Sequence, residues 1–119
     1  MCITNMASKD ILGAWNITWM EMWDEDYFNE DGQAFIKINK NNSGKFKFGY
    51  VNAEIDGRIV TLSDGKKLEF TFDGNDEMDT CQGRGWIKLK EDDSSIIDGE
   101  FFFHMCDSSK FLAKRGDNK

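Results

Sequence analysis

Residues 12–23 (LGAWNITWMEMW) constrain the fold more than any other stretch of the chain. Trp15, Ile17 and Trp19 share one parity, and Asn16 and Thr18 share the other. Apolar side chains at every second position lie on one face only in an extended chain, so this run reads as a strand with one buried face. Trp15 gives that face a large anchor. Glu21 and Trp23 follow on the same parity, so an unbroken pleat carries the Glu21 carboxylate inward. A buried carboxylate is costly alone: it must find a partner, leave through a bulge, or sit at a wet rim.

Similar runs continue down the chain. Ala34, Ile36 and Ile38 alternate with Phe35 and Lys37 in residues 34–39; Phe46, Phe48 and Tyr50 alternate with Lys45 and Lys47 in residues 45–51. Residues 53–62 pair with that run, bent or bulged at Asp56 and Gly57. Leu68, Phe70 and Phe72 follow, then a strand opened by Gly83-Arg84-Gly85-Trp86 and running to Lys90, then residues 97–105 and 110–115. Asn41-Asn42-Ser43-Gly44, Ser63-Asp64-Gly65 and Asp92-Asp93-Ser94-Ser95 read as turns, because Asn and Gly tolerate positive φ. Residues 24–32 form an acidic loop around Tyr27 and Phe28, and residues 73–83 read as the longest gap between the later strands. No proline interrupts any run. A flat sheet of this kind would expose an aromatic face and two open edges, and rolling it up removes both. The expectation is an all-β, small antiparallel up-and-down barrel of about eight strands over residues 11–116. Residues 1–10 read as a weakly ordered segment, with Ser8 able to cap a short turn, and residues 117–119 as a tail.

Charge narrows the partners. Twenty-two acidic and 15 basic residues leave a formal net charge of −7, which repels phosphate backbones and anionic membrane surfaces. No nucleic-acid or membrane partner is expected. No stretch is long and apolar enough to span a bilayer, and residues 1–11 lack a signal-peptide core, so a cytoplasmic setting is expected. Cys2, Cys81 and Cys106 show no metal-ligand spacing and read as reduced thiols; a Cys81–Cys106 bridge would need oxidising surroundings. Neither a metal nor a cofactor is expected.

Two resemblances add to this. Gly13-Ala14-Trp15 on the first strand, with Arg115 on the last, is similar to the lipocalin and calycin pattern, in which a basic side chain of the final strand covers the first-strand Trp. The resemblance implies a lipocalin-like barrel closed at one end by Arg115 over Trp15, a cation–π contact of roughly 0.5–2 kcal/mol; the alternative is a solvated Lys114-Arg115 tail. Asp76-Glu77-x-Asp79, Gly83-Arg84-Gly85-Trp86, His104-x-x-Asp107-Ser108-x-x-Phe111-x-Ala113-x-Arg115 and Trp19-x-x-x-Trp23-Asp24 resemble a family of small bacterial proteins. That likeness implies a shared polar cluster and names no reaction. Cys106 departs from the pattern, which has Gly there.

The candidate cluster comprises Glu21, Trp23, Asp76, Glu77, Arg84, Trp86, His104 and Asp107. Arg84 is the natural partner of Glu21, since its fork grips a carboxylate with two hydrogen bonds; the alternative puts Glu21 in water at the barrel rim. Asp76, Glu77 and Asp79 lack the spacing of a Ca²⁺ loop and read as anchors that receive Arg84 and pin the loop. His104, the single histidine, is either a general base helped by Glu77, Asp107 or Ser108, or a structural residue. Parity leaves its face open. If Phe101, Phe103 and Met105 point inward, His104 lies outside beside Phe102; the reverse parity turns Phe102, His104 and Cys106 in. Arg84 and Trp86 stand in the same balance against Ile87 and Leu89.

Three functions compete. A binding barrel, ranked first, would hold a small apolar or amphipathic ligand inside or at the mouth. An interaction module with an acidic surface, ranked close behind, would meet a basic protein partner and have a solid core. An enzyme using His104, Glu77 and Arg84 ranks third.

Overall fold

Eight strands close in chain order into one antiparallel barrel in the computed structural model, which describes residues 11–62, 65–76, 79–90, 93–104 and 108–116. They are β1 (Gly13–Met20), β2 (Phe35–Ile38), β3 (Ser43–Phe48), β4 (Val51–Leu62), β5 (Gly65–Asp76), β6 (Asp79–Lys90), β7 (Asp93–Phe103) and β8 (Ser108–Arg115). A four-residue helix, α1 (Glu25–Phe28), lies between β1 and β2. The ladder that completes the cylinder joins β1 to β8, with Trp15 opposite Arg115 and Met20 opposite Phe111. The expected up-and-down barrel is therefore the fold.

Period-two alternation explains the core. Trp15 and Ile17, Ile36 and Ile38, Phe46 and Phe48, Leu68, Phe70 and Phe72, Ile87, Ile97 and Phe101, Phe111 and Ala113 all point inward and are buried. Phe101 is the hub, with its ring centroid 4.4 Å from those of both Phe46 and Phe111 and 5.6 Å from Phe48. Phe70, Phe72 and Phe103 surround it at 6.2–6.4 Å. Rings at these separations are in mutual contact, so the barrel axis is occupied by side chains. Room for them comes from glycine. Phe70, Phe72 and Phe111 each stand across the ladder from one, Gly85, Gly83 and Gly99 respectively. A Cβ on Gly85 would press into the Glu100 carbonyl oxygen and lie 2.8 Å from the Phe70 ring.

Both ends are plugged. At one, the Trp15 indole Nε1 donates to the Ile11 carbonyl at 3.0 Å, and the Arg115 guanidinium lies 3.9 Å from the centre of the Trp15 ring while donating to the Leu12 carbonyl. Gly13 makes this approach possible: its φ is +103°, and a Cβ there would stand 3.2 Å from Arg115 Nη1. At the other end residues 21–34 fold across the mouth. Asp24 caps α1 by accepting from the Tyr27 amide at 3.1 Å, Phe28 is buried, and the Phe28 carbonyl accepts from the Gly49 amide at 2.8 Å. The Trp23 ring sits 5.1 Å from Phe48 and 6.1 Å from Phe103, above the core.

Four expectations change. Residues 73–76 and 79–83 are strand and not loop: β5 and β6 stay paired from Asp73 opposite Gln82 to Asp76 opposite Asp79. Most side chains of the ladder are solvated there, since Asp73, Asn75, Asp76, Asp79 and Thr80 are exposed while Cys81 packs partly on the core, so the apolar alternation that reveals a strand is missing. Gly57 causes no register shift: it pairs with Phe70, and the Leu68 and Phe70 side chains use the space its missing Cβ leaves. Strand β7 begins at Asp93, four residues before Ile97, across a register shift at Lys90. The acidic loop contains α1. Asn42, with φ +68°, supplies the expected left-handed turn residue between β2 and β3. Residues 1–10 and 117–119, with Cys2 and Cys106, lie outside the described residues.

Candidate functional site

The ring-against-glycine pairs decide which faces of β6 and β7 turn inward. Because Phe70 packs across from Gly85, the inward set on β6 is Gly85 and Ile87, with Leu89 partly buried, and on β7 it is Ile97, Gly99 and Phe101. Arg84, Trp86, Phe102 and His104 consequently face outward. On this outer wall the Arg84 guanidinium covers Phe102 at 4.5 Å and the Lys67 ammonium covers Trp86 at 5.5 Å. Glu69, across the ladder from Trp86, pairs with Lys67 at 3.3 Å and faces Arg58 at 3.9 Å. Each aromatic ring on this wall is thus roofed by a cation from its own sheet, an arrangement that shields apolar surface while the charge stays wet.

A shallow groove runs along the same wall, lined by Glu54, Asp56, Asp73, Arg84, Phe102 and His104. His104 is exposed, and its amide donates to the Gln82 carbonyl at 2.8 Å, which fixes the backbone at the strand end. Three members of the expected cluster, Arg84, Trp86 and His104, therefore share this wall, and Arg84 and His104 line the groove together. Glu77 and Asp107 lie outside the described residues. Asp76 is exposed at the tip of the β5–β6 hairpin, opposite Asp79, and Trp23 belongs to the mouth plug. Among the described residues Arg84 makes no ion pair, and no three His, Cys, Asp or Glu side chains are placed to hold a metal.

Glu21 is separated from Arg84 and does not pair with it, because β1 does not hold its pleat. The β1–β8 ladder runs Ile17 to Ala113 and then Trp19 to Leu112, leaving Thr18 as an extra residue on β1. This β-bulge reverses the parity beyond it. Met20 turns inward and is 3% exposed, whereas Trp19 turns out and is 47% exposed. Glu21 goes out too: its amide donates to the Lys110 carbonyl at 2.9 Å, and its Oε1 accepts from the Lys110 amide at 3.2 Å. The carboxylate thus leaves through a bulge, and the alternation of Trp15, Ile17 and Trp19 ends one residue early.

The bulge also creates a surface. Met22 is 49% exposed, and it and Trp19 are the large hydrophobic residues left exposed among those described. Both line one groove at the plugged mouth, together with Glu21, Trp23, Asp24 and Glu25. Ser109 holds the ribbon in place. It is fully buried; its Oγ accepts from the Met22 amide at 3.2 Å and donates to the Lys110 carbonyl at 3.0 Å. No described Lys or Arg forms an ion pair with Glu21, Asp24 or Glu25. Strict alternation hid Trp19; the signal that pointed to it was the carboxylate two residues later on an inward parity.

Cys81 is a free thiol on β6, partly buried against the core. Burial first, and then the Asp76 and Asp73 carboxylates, raise its pKa above the ordinary 9.0, which disfavours the reactive thiolate. No described helix is long and apolar enough to cross a membrane. No family model matches the chain, and no curated protein or solved structure is significantly similar to it.

Proposed function

We propose that this chain is a non-catalytic interaction module that holds its partner outside a solid barrel, at the Trp19–Met22 surface. The carrying observation is the bulge after Ile17. It buries Met20 and exposes Trp19 in a chain whose other three tryptophans are covered wholly or in part. Turning an indole into water forgoes on the order of 1.5–3 kcal/mol of burial, and bulges recur where a side chain must be re-aimed. Ring packing along the axis and plugs at both ends favour this reading over a small apolar ligand enclosed in the barrel. The outer wall of β4–β7 fits a structural role better, since its rings already carry cationic roofs. Membership in the family of small bacterial proteins and a cytoplasmic setting with reduced thiols belong to the same proposal.

The test separates an outside partner from an enclosed ligand. Palmitate and benzene are added to the protein and followed by native mass spectrometry and thermal shift. The expected result is no stoichiometric retention and no rise in melting temperature. A retained apolar molecule, with backbone shifts at inward residues such as Phe101 and Ile87, would overturn the proposal.

A further inference from the structure

From the charge around the Trp19–Met22 surface we infer that its partner is a cationic amphipathic segment, in which a large apolar side chain is flanked by Lys or Arg. This rests on the interaction-module reading and names the partner for that surface. Trp19 and Met22 supply an apolar floor, and Glu21, Asp24 and Glu25 line the same groove with no cation of this chain paired to them among the described residues. An apolar anchor on that floor would bring flanking ammonium or guanidinium groups within reach of three carboxylates. Trp is the residue most enriched at binding hot spots, and Met adapts to varied apolar shapes. The floor is also pre-organised: Ser109 ties down the Met22 amide, Asp24 caps α1, and Trp23 packs on Phe48. Little ordering entropy is then lost on docking.

The same charges argue against a second copy of this chain as occupant. With a formal net charge of −7 and an acidic rim on each surface, two copies would bring like charges face to face. The patch is small, so the complex should be weak, with Kd in the micromolar range.

The experiment uses the full chain and synthetic peptides. One peptide carries paired leucines flanked by lysines; one control replaces the leucines with serine, and a second replaces the lysines with glutamate. Binding is followed by amide and indole shifts at two salt concentrations. The leucine–lysine peptide should bind, shifting Trp19, Met22 and Glu25, and should weaken as salt rises. Trp19→Ser should weaken it about tenfold without changing the melting temperature, because the side chain is outside the core. A Glu21→Lys, Glu25→Lys double variant should reverse the preference toward the glutamate-flanked peptide, a switch that mere unfolding would not produce.

Shifts confined to Arg84, Trp86 and Phe102 would sink this inference and leave an outside partner standing. Equal binding of both charge forms, or none of the leucine–lysine peptide, would also overturn it, while the palmitate and benzene test still judges the wider reading on its own terms. A wild-type dimer in sedimentation that Trp19→Ser dissolves would make the occupant a second copy and refute the cationic segment.

Discussion

Phe101→Ala tests the solid barrel on which the functional reading depends. Phe101 is fully buried and lies within 6.4 Å, centroid to centroid, of six other phenylalanine rings. Truncation removes about 100 Å³ of side chain. At ~24 cal/mol per Å³ of unfilled cavity this costs roughly 2.4 kcal/mol. The lost transfer energy contributes roughly 2 kcal/mol more. A loss of 4–5 kcal/mol is therefore expected, at the upper end of the usual range of about 3–5 kcal/mol for Phe→Ala. Because the neighbours are rings fixed on eight paired strands, the site has little freedom to collapse. A chain of 119 residues has a total stability of roughly 6–18 kcal/mol, so the variant should still fold, with its urea midpoint far lower and its m-value unchanged. Phe101→Leu, which keeps most of the volume, should cost only about 1–2 kcal/mol. The cavity left by Phe101→Ala should be dry and apolar, so benzene should raise the melting temperature of the variant and not of the wild type. In a hollow barrel the transfer term alone would remain. A loss below about 2 kcal/mol, or equal benzene stabilisation of both proteins, would refute the filled interior.

Arg115→Ala should lower stability by about 0.5–2 kcal/mol in urea denaturation, through loss of the stack on Trp15. Gly13→Ala should lower it by about 1–2 kcal/mol through its positive φ, and the double variant should fall short of the sum, since the added methyl group then meets no guanidinium. Arg84→Ala should cost at most about 1 kcal/mol from the exposed Phe102 stack; hydrogen exchange over residues 73–76 and 79–83 should stay as in the wild type, because the β5–β6 ladder and not Arg84 holds that backbone. Burial and the Asp76 and Asp73 carboxylates keep the Cys81 thiol protonated at a pH where the unfolded chain ionises it. That contribution is complete below 9.0 and disappears as pH climbs through the raised value of the folded state. Iodoacetamide should accordingly label Cys81 more slowly in the folded than in the denatured protein at about pH 8, and Asp76→Asn should speed the folded reaction; equal rates would contradict this.

Strand count, order and closure were legible because each rests on local alternation and on turn residues. Trp15, Phe46, Phe48, Phe70 and Phe72 mark inward positions that a reader can count off by twos. The wall carrying Arg84, Trp86 and His104 was not legible. Both parities of residues 84–90 and 97–105 contain apolar side chains, and the choice lies in Gly85 and Gly99 admitting rings from the neighbouring strands. The pairing of residues 73–76 with 79–82 was hidden for a different reason: its backbone is paired while most of its side chains are wet, so no apolar alternation marks it.

Local alternation already specifies an all-β cylinder with Trp15 turned into its interior, because side-chain parity is a property of a few consecutive residues. That Thr18 is an extra residue, and hence that Trp19 and Glu21 look outward while Met20 looks in, follows from the pairing of β1 with β8. A bulge is defined by the strand opposite, here Leu112 and Ala113, more than ninety residues away in the chain. No local pattern contains that partner; closing the ring supplies it.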